Sequence, residues 1–240
     1  MTDYASFAPF YDRIVGDRTE EIDRIRSYVS KHNPDARSLL ELGCGTGALL
    51  AGLAGELAVT GVDRSPEMLA IAARSVPTAN LVQAEIDAFH LPARFGVAIC
   101  MFDTLNHLPS FGAWLELFDS VHEHLEEGGL FIFDVNTAGR LQRLGGGPPY
   151  VEEFDGNVVI MTVRSARERL SIWETRIFEH LIDDEYRLHH ERIYELGVPL
   201  TQIRAALEGR FELLEQEGLY GQPPTEDADR VFFVYRRRDC

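Results

Sequence analysis

The stretch 39–53 reads LLELGCGTGALLAGL, which is an apolar run, then three glycines at alternate positions, then a helix-like pattern. Glycines such as Gly43, Gly45 and Gly47 accept backbone conformations that other residues avoid, and they let a ligand approach the main chain closely. The first residues of the following helix would point free N–H groups at such a ligand. The sequence therefore predicts a ligand-binding turn between a strand and a helix.

The spacing of the glycines separates this turn from two better-known ones. A dinucleotide-binding turn has the pattern G-x-G-x-x-G, and a P-loop ends in Gly-Lys-Ser/Thr. Here the order is G-x-G-x-G, preceded by the acidic residue Glu41. A nicotinamide-dependent oxidoreductase is therefore disfavoured.

Strand and helix patterns alternate around the turn. Five strands are predicted at SLLEL (38–42), AVTGVD (58–63), NLVQAE (80–85), FGVAICMF (95–102) and GGLFIFDVN (128–136), with helices between them. Two further strands, FELLEQEG (211–218) and RVFFVYRRR (230–238), close the chain. Strands that alternate with helices at this spacing indicate a parallel sheet in an α/β fold.

The alternation stops after the fifth strand. Glycines and prolines predict a loop over 138–154, and three antiparallel strands are predicted at 157–165, 169–182 and 185–196. We therefore expect a helical cover over residues 1–36, a core made of 37–136 and 199–240, and an inserted β lid over 137–198.

Side chains at the ends of the second and third strands suit a nucleoside. Asp63 closes the second strand, where its carboxylate can accept both hydroxyls of a ribose. Glu85 ends the third strand and can bind an exocyclic amine, and Ile86 can lie against a purine. Ligands of open α/β sheets bind at these carboxyl ends of strands.

Five segments in order resemble the class I S-adenosylmethionine-dependent methyltransferases: ELGCGTG, VTGVDRSPEMLAIA, QAEIDAF, CMFDTLNHL and LEEGGLFIFDVNT. The resemblance implies a Rossmann-like seven-stranded sheet, six strands parallel and one antiparallel, with S-adenosylmethionine as cofactor and S-adenosylhomocysteine as product. The glycine loop would take the methionine part, Asp63 the ribose, and Glu85 with Ile86 the adenine. The remaining cofactor contacts implied are Tyr11, Glu41, Arg64, Met68, Met101 and Phe102.

A narrower resemblance is to small-molecule N-methyltransferases of the amino-sugar and glycine types. It is carried by YASFAPFYDRI at the N-terminus, by CMFDTLNHL and by the three-strand insertion. Such enzymes place an N-terminal aromatic helix over the cofactor and use the inserted sheet as a lid. A small-molecule acceptor is therefore expected, amine nitrogen rather than hydroxyl, because an amine needs only to lose a proton.

Several residues are candidates for the reaction itself. His107, just past the fourth strand, is the candidate general base, with a backbone-bonded histidine at a helix start as the alternative. The resemblance puts Tyr11, and by the same argument Tyr4, against the methionine end of the cofactor. Both aromatic residues could instead belong to the packing face of a helix.

Polar residues near the same strand ends could hold the acceptor. Asp103 and Asn106 follow the fourth strand, where they could also cap a helix, and Asn136 ends the fifth strand. His189 and His190 lie on opposite faces of a lid strand, and a solvated pair is expected there.

No metal is expected. The three cysteines, Cys44, Cys100 and Cys240, lie far apart and lack histidines at ligand spacing. This pattern argues against zinc and against a disulfide framework, and free thiols suit a reducing cytoplasm.

Net charge and hydropathy indicate which kinds of partner the protein can bind. The formal net charge is −16, and the only basic run is RRRD at 236–239. Such a charge disfavours nucleic acid and favours small neutral or cationic acceptors. No apolar run or leader pattern indicates a membrane, so a cytoplasmic location is expected. A methyltransferase of RNA or protein, a non-catalytic module that binds the cofactor, and a homodimer remain open alternatives.

Overall fold

The predicted core strands form one sheet in the structure, a computed structural model that describes residue 4, residues 6–167 and residues 169–239. The strands are β1 (Ser38–Leu42), β2 (Ala58–Asp63), β3 (Asn80–Gln83), β4 (Phe95–Cys100), β5 (Leu125–Asn136), β10 (Phe211–Gly218) and β11 (Arg230–Arg237). Their order is β10-β11-β5-β4-β1-β2-β3. Strand β11 runs antiparallel to both neighbours. The prediction of six parallel strands and one antiparallel strand is confirmed.

Helices cover both faces of this sheet. They are α1 (Tyr11–Val15), α2 (Thr19–His32), α3 (Ala48–Leu53), α4 (Pro66–Ser75), α5 (Phe111–His124), α6 (Ala138–Leu144) and α7 (Leu200–Leu207), with 3-10 turns at Ala8–Phe10, Thr104–His107 and Leu219–Gly221. Trp114 and Phe118 of α5 are fully buried on one face, and Ile25 of α2 is fully buried on the other. Strand β4 is therefore buried at every position, as a central strand covered on both faces should be.

Local sequence explains where two of the helices begin. The Ser65 hydroxyl accepts the backbone N–H of Met68, and Pro66 occupies the first helical position of α4. The Ser110 hydroxyl accepts the N–H of Ala113 in the same way at the start of α5. These caps set the two helices directly after the loops that carry Asp63 and His107.

The insertion differs from the prediction in two ways. It contains a four-stranded antiparallel sheet, β6 (Tyr150–Phe154), β7 (Asn157–Arg167), β8 (Leu170–Ile182) and β9 (Glu185–Leu196), so the prediction of three strands is wrong. The predicted loop over 138–154 begins with α6, which Thr137 caps, and ends with β6. The Gly-Pro run between them, residues 145–149, is irregular. Its glycines and prolines are a strong turn signal, and they led to the prediction of a loop where two short regular elements also occur.

The inner face of this sheet packs on the N-terminal segment. Val159 and Ile177 are buried against Phe7 and Phe154. The opposite face exposes apolar side chains of β9, such as Leu188, which is 54% exposed. Among the described helices, none is both long and apolar enough to cross a bilayer.

Candidate active site

The glycine turn after β1 lies open to a cavity. Gly43, Gly45 and Gly47 have φ values of +73°, +51° and +77°. The N–H groups of Gly43 and Cys44 donate to the carbonyl of Val62, at 2.8 and 3.0 Å, and tie the turn to β2. Among the described residues, a Cβ at Gly45 would have one neighbour within 4 Å, Tyr11 Cε1 at 4.0 Å. The backbone of the turn is therefore accessible to a ligand, and the ring of Tyr11 lies over it.

Asp63 is braced at the end of β2. One carboxylate oxygen accepts the N–H of Gly45 and the other accepts the N–H of Ser65, each at 2.8 Å. Burial raises the pKa of Asp63 above its ordinary value. Each oxygen keeps a second lone pair, so the carboxylate can still accept two hydroxyl groups.

The cavity has a volume of about 380 Å³, within the usual range for a ligand pocket. Among the predicted site residues, its lining contains Tyr4, Tyr11, Gly43, Gly45, Asp63, Arg64, Met68, Glu85, Ile86, Phe102 and His107. The structure thus brings together residues from the N-terminal segment and from the loops after β1, β2, β3 and β4.

Three predicted cofactor residues lie behind this lining. Gly47 is packed against α4, because a Cβ there would come within 3.0 Å of Ala72 Cβ. Met101 is 2% exposed and belongs to the core. Glu41 is 4% exposed, and its Oε2 atom is buried without a hydrogen-bond partner.

Arg18, which was not predicted from the sequence, is a buried cation beside the aromatic residues Tyr11 and Phe102. Its side chain is 6% exposed, and its guanidinium carbon lies 4.9 Å from the ring centre of Phe102 and 5.7 Å from that of Tyr11. One Nη atom donates to the carbonyl of Gly16, and the other, Nη2, is buried without a hydrogen-bond partner. An arginine in a charged segment looks solvated from sequence alone, so no local pattern marked it.

The charge of Arg18 acts on Glu41. Burial and the nearby Asp63 carboxylate raise the pKa of Glu41, and the Arg18 guanidinium opposes that shift. Buried polar atoms without partners are costly unless a ligand satisfies them. Neither residue is in the lining of the cavity, and Arg18 Nη2 also lies 3.7 Å from Asp12 Oδ1, so a ligand reaches these two buried atoms only after nearby side chains move.

His107 lies between two possible proton partners. Its Nδ1 atom is 3.4 Å from the Tyr4 hydroxyl, and its Nε2 atom is 3.7 Å from Asp103 Oδ2. The Asp103 carboxylate favours the tautomer with the proton on Nε2, which leaves Nδ1 as an acceptor that faces Tyr4. Burial raises the pKa of Tyr4, so its hydroxyl stays protonated.

Arg230 of β11 joins the ends of β4 and β5. Its guanidinium binds the Asp103 carboxylate and also lies 3.0 Å from Asp134 Oδ2. Burial alone would raise the pKa of Asp103, but Arg230 and His107 hold it below its ordinary value. Burial raises the pKa of Asp134 to about 6 despite Arg230.

Asp134 also fixes the loop that carries His107. Its oxygens accept the N–H groups of Phe102, at 2.6 Å, and Asp103, at 3.1 Å. Both residues have φ above +50°, a conformation that costs a non-glycine residue about 1 kcal/mol or more. The carboxylate compensates for this cost at the place where the chain turns toward the cavity.

Asn106 and Asn136, predicted to bind the acceptor, form part of the interior. Asn106 is fully buried, its amide donates to the carbonyls of Asn136 and Leu196, and its oxygen accepts the N–H of Asn136. Asn136 donates to Glu195 at 2.8 Å. Asn106 thus has no free polar group for a ligand, and like Asp103 it lies behind the lining.

One group of side chains has metal-ligand geometry. Single ligand atoms of Asp103, His107 and Glu195 lie within 4.8 Å of one another, although no metal was expected from the sequence. Arg230 already neutralises Asp103, and burial beside Asp103 raises the pKa of Glu195 well above its ordinary value. A neutral Glu195 and a guanidinium on Asp103 make the group a poor cation site.

The rest of the lining was not predicted: Asp87, Ala88, Thr104, Leu108, Pro109, Glu116, Ile193 and Tyr194. The residues of this group that lie in loops are close in sequence to predicted site residues. The position of those loops after strand ends was therefore the sequence signal that could have identified them. Glu116 of α5 and the two residues of β9 come from elements whose position depends on tertiary packing.

The two histidines of β9 were expected to be solvated, but only His190 is exposed. His189 Nε2 is 2.8 Å from Glu179 Oε2, and its ring centre lies 5.4 Å from that of Phe10. His190 is exposed on the opposite face. The expectation is therefore wrong for His189, because the N-terminal segment covers the inner face.

Comparison with known proteins identifies the family. A family model described as a methyltransferase domain matches residues 14–180. The chain belongs to this methyltransferase family. The family uses S-adenosylmethionine, and the residues present fit it: the cavity is lined by the glycine turn and by Asp63, whose carboxylate can still accept two hydroxyl groups.

Individual relatives differ in how much of the chain they match. A Geobacillus protein provisionally named a methyltransferase is 28% identical over 250 residues, covering 98% of this chain and 99% of its own. A dTDP-amino-sugar N,N-dimethyltransferase of Streptomyces fradiae is 37% identical over 114 residues, 45% of each chain. A sugar N-methyltransferase structure from Streptoalloteichus superposes with a TM-score of 0.82 at 27% identity, covering 97% of this chain and 93% of that one.

Proposed function

We propose that the protein transfers the methyl group of S-adenosylmethionine to the nitrogen of a small-molecule amine. The observation that carries the proposal is that the Tyr4–His107 pair lines the same cavity as the glycine turn and Asp63. Relatives named as N-methyltransferases of sugars support the choice of nitrogen over oxygen.

The chain's own residues would hold the cofactor at three points. Asp63 binds the ribose hydroxyls, Glu85 and Ile86 contact the adenine, and the Arg18–Glu41 pair binds the carboxylate and ammonium of the methionine end. The bound cofactor supplies an electrophilic methyl group on a positively charged sulfur. The rings of Tyr11 and Phe102 exclude water from that end and fix the direction of attack.

His107 handles the proton of the acceptor. An amine attacks only through a free lone pair, so an ammonium acceptor must first lose a proton, which Nδ1 of His107 can accept. The new N–C bond then forms as the C–S bond breaks, and the electron pair of the broken bond stays on sulfur. Asp103 stabilises the imidazolium that forms, and Arg230 keeps Asp103 in place.

Methyl-labelled S-adenosylmethionine tests the proposal. The protein would be incubated with a cell extract separated into small-molecule, RNA and protein fractions. We expect label in the small-molecule fraction and none with Asp63→Ala, which loses two charge-assisted hydrogen bonds to the cofactor. Label in RNA or protein would show that the acceptor is a macromolecule. Cofactor binding with no label in any fraction would favour a non-catalytic module.

A further inference from the structure

The short turn that carries His107 is held at both of its ends. At the start, the Asp134 carboxylate accepts the backbone N–H groups of Phe102 and Asp103. At the other end, the residue next to His107 is Asn106, whose side chain is fully buried. The candidate base is therefore adjacent in the chain to a polar side chain that is closed off from solvent.

The Asn106 amide connects this turn to two separate sheets. Its Nδ2 atom donates to the carbonyls of Asn136 and Leu196, each at 3.0 Å, and its Oδ1 atom accepts the N–H of Asn136, also at 3.0 Å. Asn136 is the last residue of β5 in the main sheet, and Leu196 is the last residue of β9 in the inserted sheet. One side chain thus joins the turn to both sheets.

The contact with β9 lies close to a part of that strand that lines the cavity. Ile193 and Tyr194 line the cavity together with His107, and they come three and two residues before Leu196. A strand rises about 3.3 Å per residue, so this part of the wall begins within about 10 Å of the hydrogen bond. The amide of Asn106 therefore fixes the distance between His107 and the β9 wall.

Other contacts restrain His107 less closely. Its Nδ1 atom is 3.4 Å from the Tyr4 hydroxyl and its Nε2 atom is 3.7 Å from Asp103 Oδ2, both longer than a well-formed hydrogen bond. The bond from Asn136 Nδ2 to Glu195 joins β9 to β5 but does not reach the turn. The position of the imidazole therefore depends on the backbone that carries it.

On the basis of the function proposed above, we propose that Asn106 is a positioning residue for methyl transfer: its amide holds His107 in place opposite the cavity wall formed by Ile193 and Tyr194. Asn106 touches neither the cofactor nor the acceptor and acts through His107. Displacement of a catalytic group by about 1 Å can slow a reaction about 100-fold, so loss of this amide should affect turnover strongly.

The tautomer of His107 tests the proposal without any acceptor. In the wild type, the ¹⁵N shifts of the ring should report a proton on Nε2, which faces Asp103. Asn106→Ala should move the two ring shifts toward each other, because a displaced ring no longer faces Asp103. Asn33→Ala, which removes an amide donor to the carbonyl of Gly96 near the start of β4, is the control and should leave the shifts unchanged. Unchanged shifts in Asn106→Ala would overturn the proposal.

A measurement on the wild type replaces this test if Asn106→Ala does not fold. The side-chain amide hydrogens of Asn106 should exchange with solvent about 100-fold more slowly than those of Asn80, which is exposed. Equal exchange rates for the two side chains would show that the hydrogen bonds of Asn106 do not persist, and would overturn the proposal.

A double-mutant cycle tests the link to catalysis. The measured rate is the transfer of labelled methyl groups into the small-molecule fraction, divided by the number of sites that bind S-adenosylhomocysteine. Asn106→Ala should lower this rate about 10- to 100-fold in the wild type and less than about twofold in His107→Ala, because nothing is left to position. Equal fold-losses in both backgrounds would overturn the positioning role and leave methyl transfer intact. Absence of label from small molecules with the wild type would overturn the proposed function and this role with it.

Discussion

At the level of single residues, the proposed cofactor site includes two buried polar groups, Arg18 and Glu41, that come from distant segments. Arg18 precedes α2 and Glu41 belongs to β1, and each leaves one buried atom without a partner. An amino acid would satisfy both atoms at once, since its carboxylate accepts from arginine and its ammonium donates to a carboxylate. A nucleoside alone would satisfy neither.

Substitution of Arg18 tests this assignment. Arg18→Met should weaken binding of S-adenosylhomocysteine about ten- to hundredfold, because a charge-assisted hydrogen bond is lost. Binding of methylthioadenosine, which lacks the amino-acid group, should not change. Calorimetry with both ligands measures the difference, and equal losses for the two would show that Arg18 acts only through the fold.

His107 is the residue on which turnover should depend. His107→Ala should lower kcat roughly 100-fold while affinity for S-adenosylhomocysteine stays the same, because the proton acceptor is lost and the cofactor contacts remain. Tyr4→Phe removes the hydroxyl next to Nδ1 and serves as a comparison, with a smaller expected loss. If His107→Ala raised only the KM of the acceptor, His107 would be a binding residue.

At the level of elements, the inserted four-stranded sheet packs against the N-terminal segment. Phe7 packs against Phe154, Val159 and Ile177, and the Ser6 hydroxyl donates to Glu191 at 2.6 Å. The segment in turn places Tyr4 and Tyr11 in the wall of the cavity. The inserted sheet thus contributes to the cavity directly, through Ile193 and Tyr194 of β9, and indirectly, through the aromatic side chains that it supports.

Phe7→Ala tests this coupling. Loss of the buried ring should open the segment locally, so amide exchange should rise over residues 6–15 while the strands of the main sheet stay protected. Affinity for S-adenosylhomocysteine should fall because Tyr11 loses its support. Phe7→Leu keeps most of the buried volume and should behave close to wild type. Unchanged exchange in Phe7→Ala would mean that the segment is held elsewhere.

At the level of the whole molecule, the buried acid network makes stability depend on pH. Burial raises the native pKa of Asp134 to about 6, above the value of about 3.9 for an unfolded chain. The native state therefore binds more protons between these two values. The contribution of Asp134 to the free energy of unfolding should fall as pH rises through this interval and level off above it.

Comparison with Asp134→Asn isolates that contribution. The difference in free energy of unfolding, wild type minus variant, should fall by about 1 kcal/mol between about pH 5 and about pH 7. Urea unfolding at several pH values measures it, and Asp227→Asn, at an exposed position, should show no such trend. A difference that grows with pH would mean that Arg230 outweighs burial at this site.

Patterns local in sequence predicted the main sheet, and many of the residues predicted at strand ends lie in the wall of one cavity. Gly43 and Asp63 sit at strand ends, where chain position alone fixes their place in a parallel sheet. Arg18, Glu116 and Tyr194 reach the cavity only through tertiary packing, which no local pattern encodes. The elements α6 and β6 were missed for a different reason. The Gly-Pro run between them is a strong local turn signal, and it led to the prediction of one loop over the whole of 138–154.

The central claim is that a methyl group passes from S-adenosylmethionine to the nitrogen of a small amine in this cavity. The most direct test follows an isotopically labelled methyl group by NMR in a reaction with the small-molecule fraction. We expect the label to appear as an N-methyl signal, about 100-fold more slowly with His107→Ala. An O-methyl or C-methyl signal, or label confined to RNA or protein, would contradict the claim.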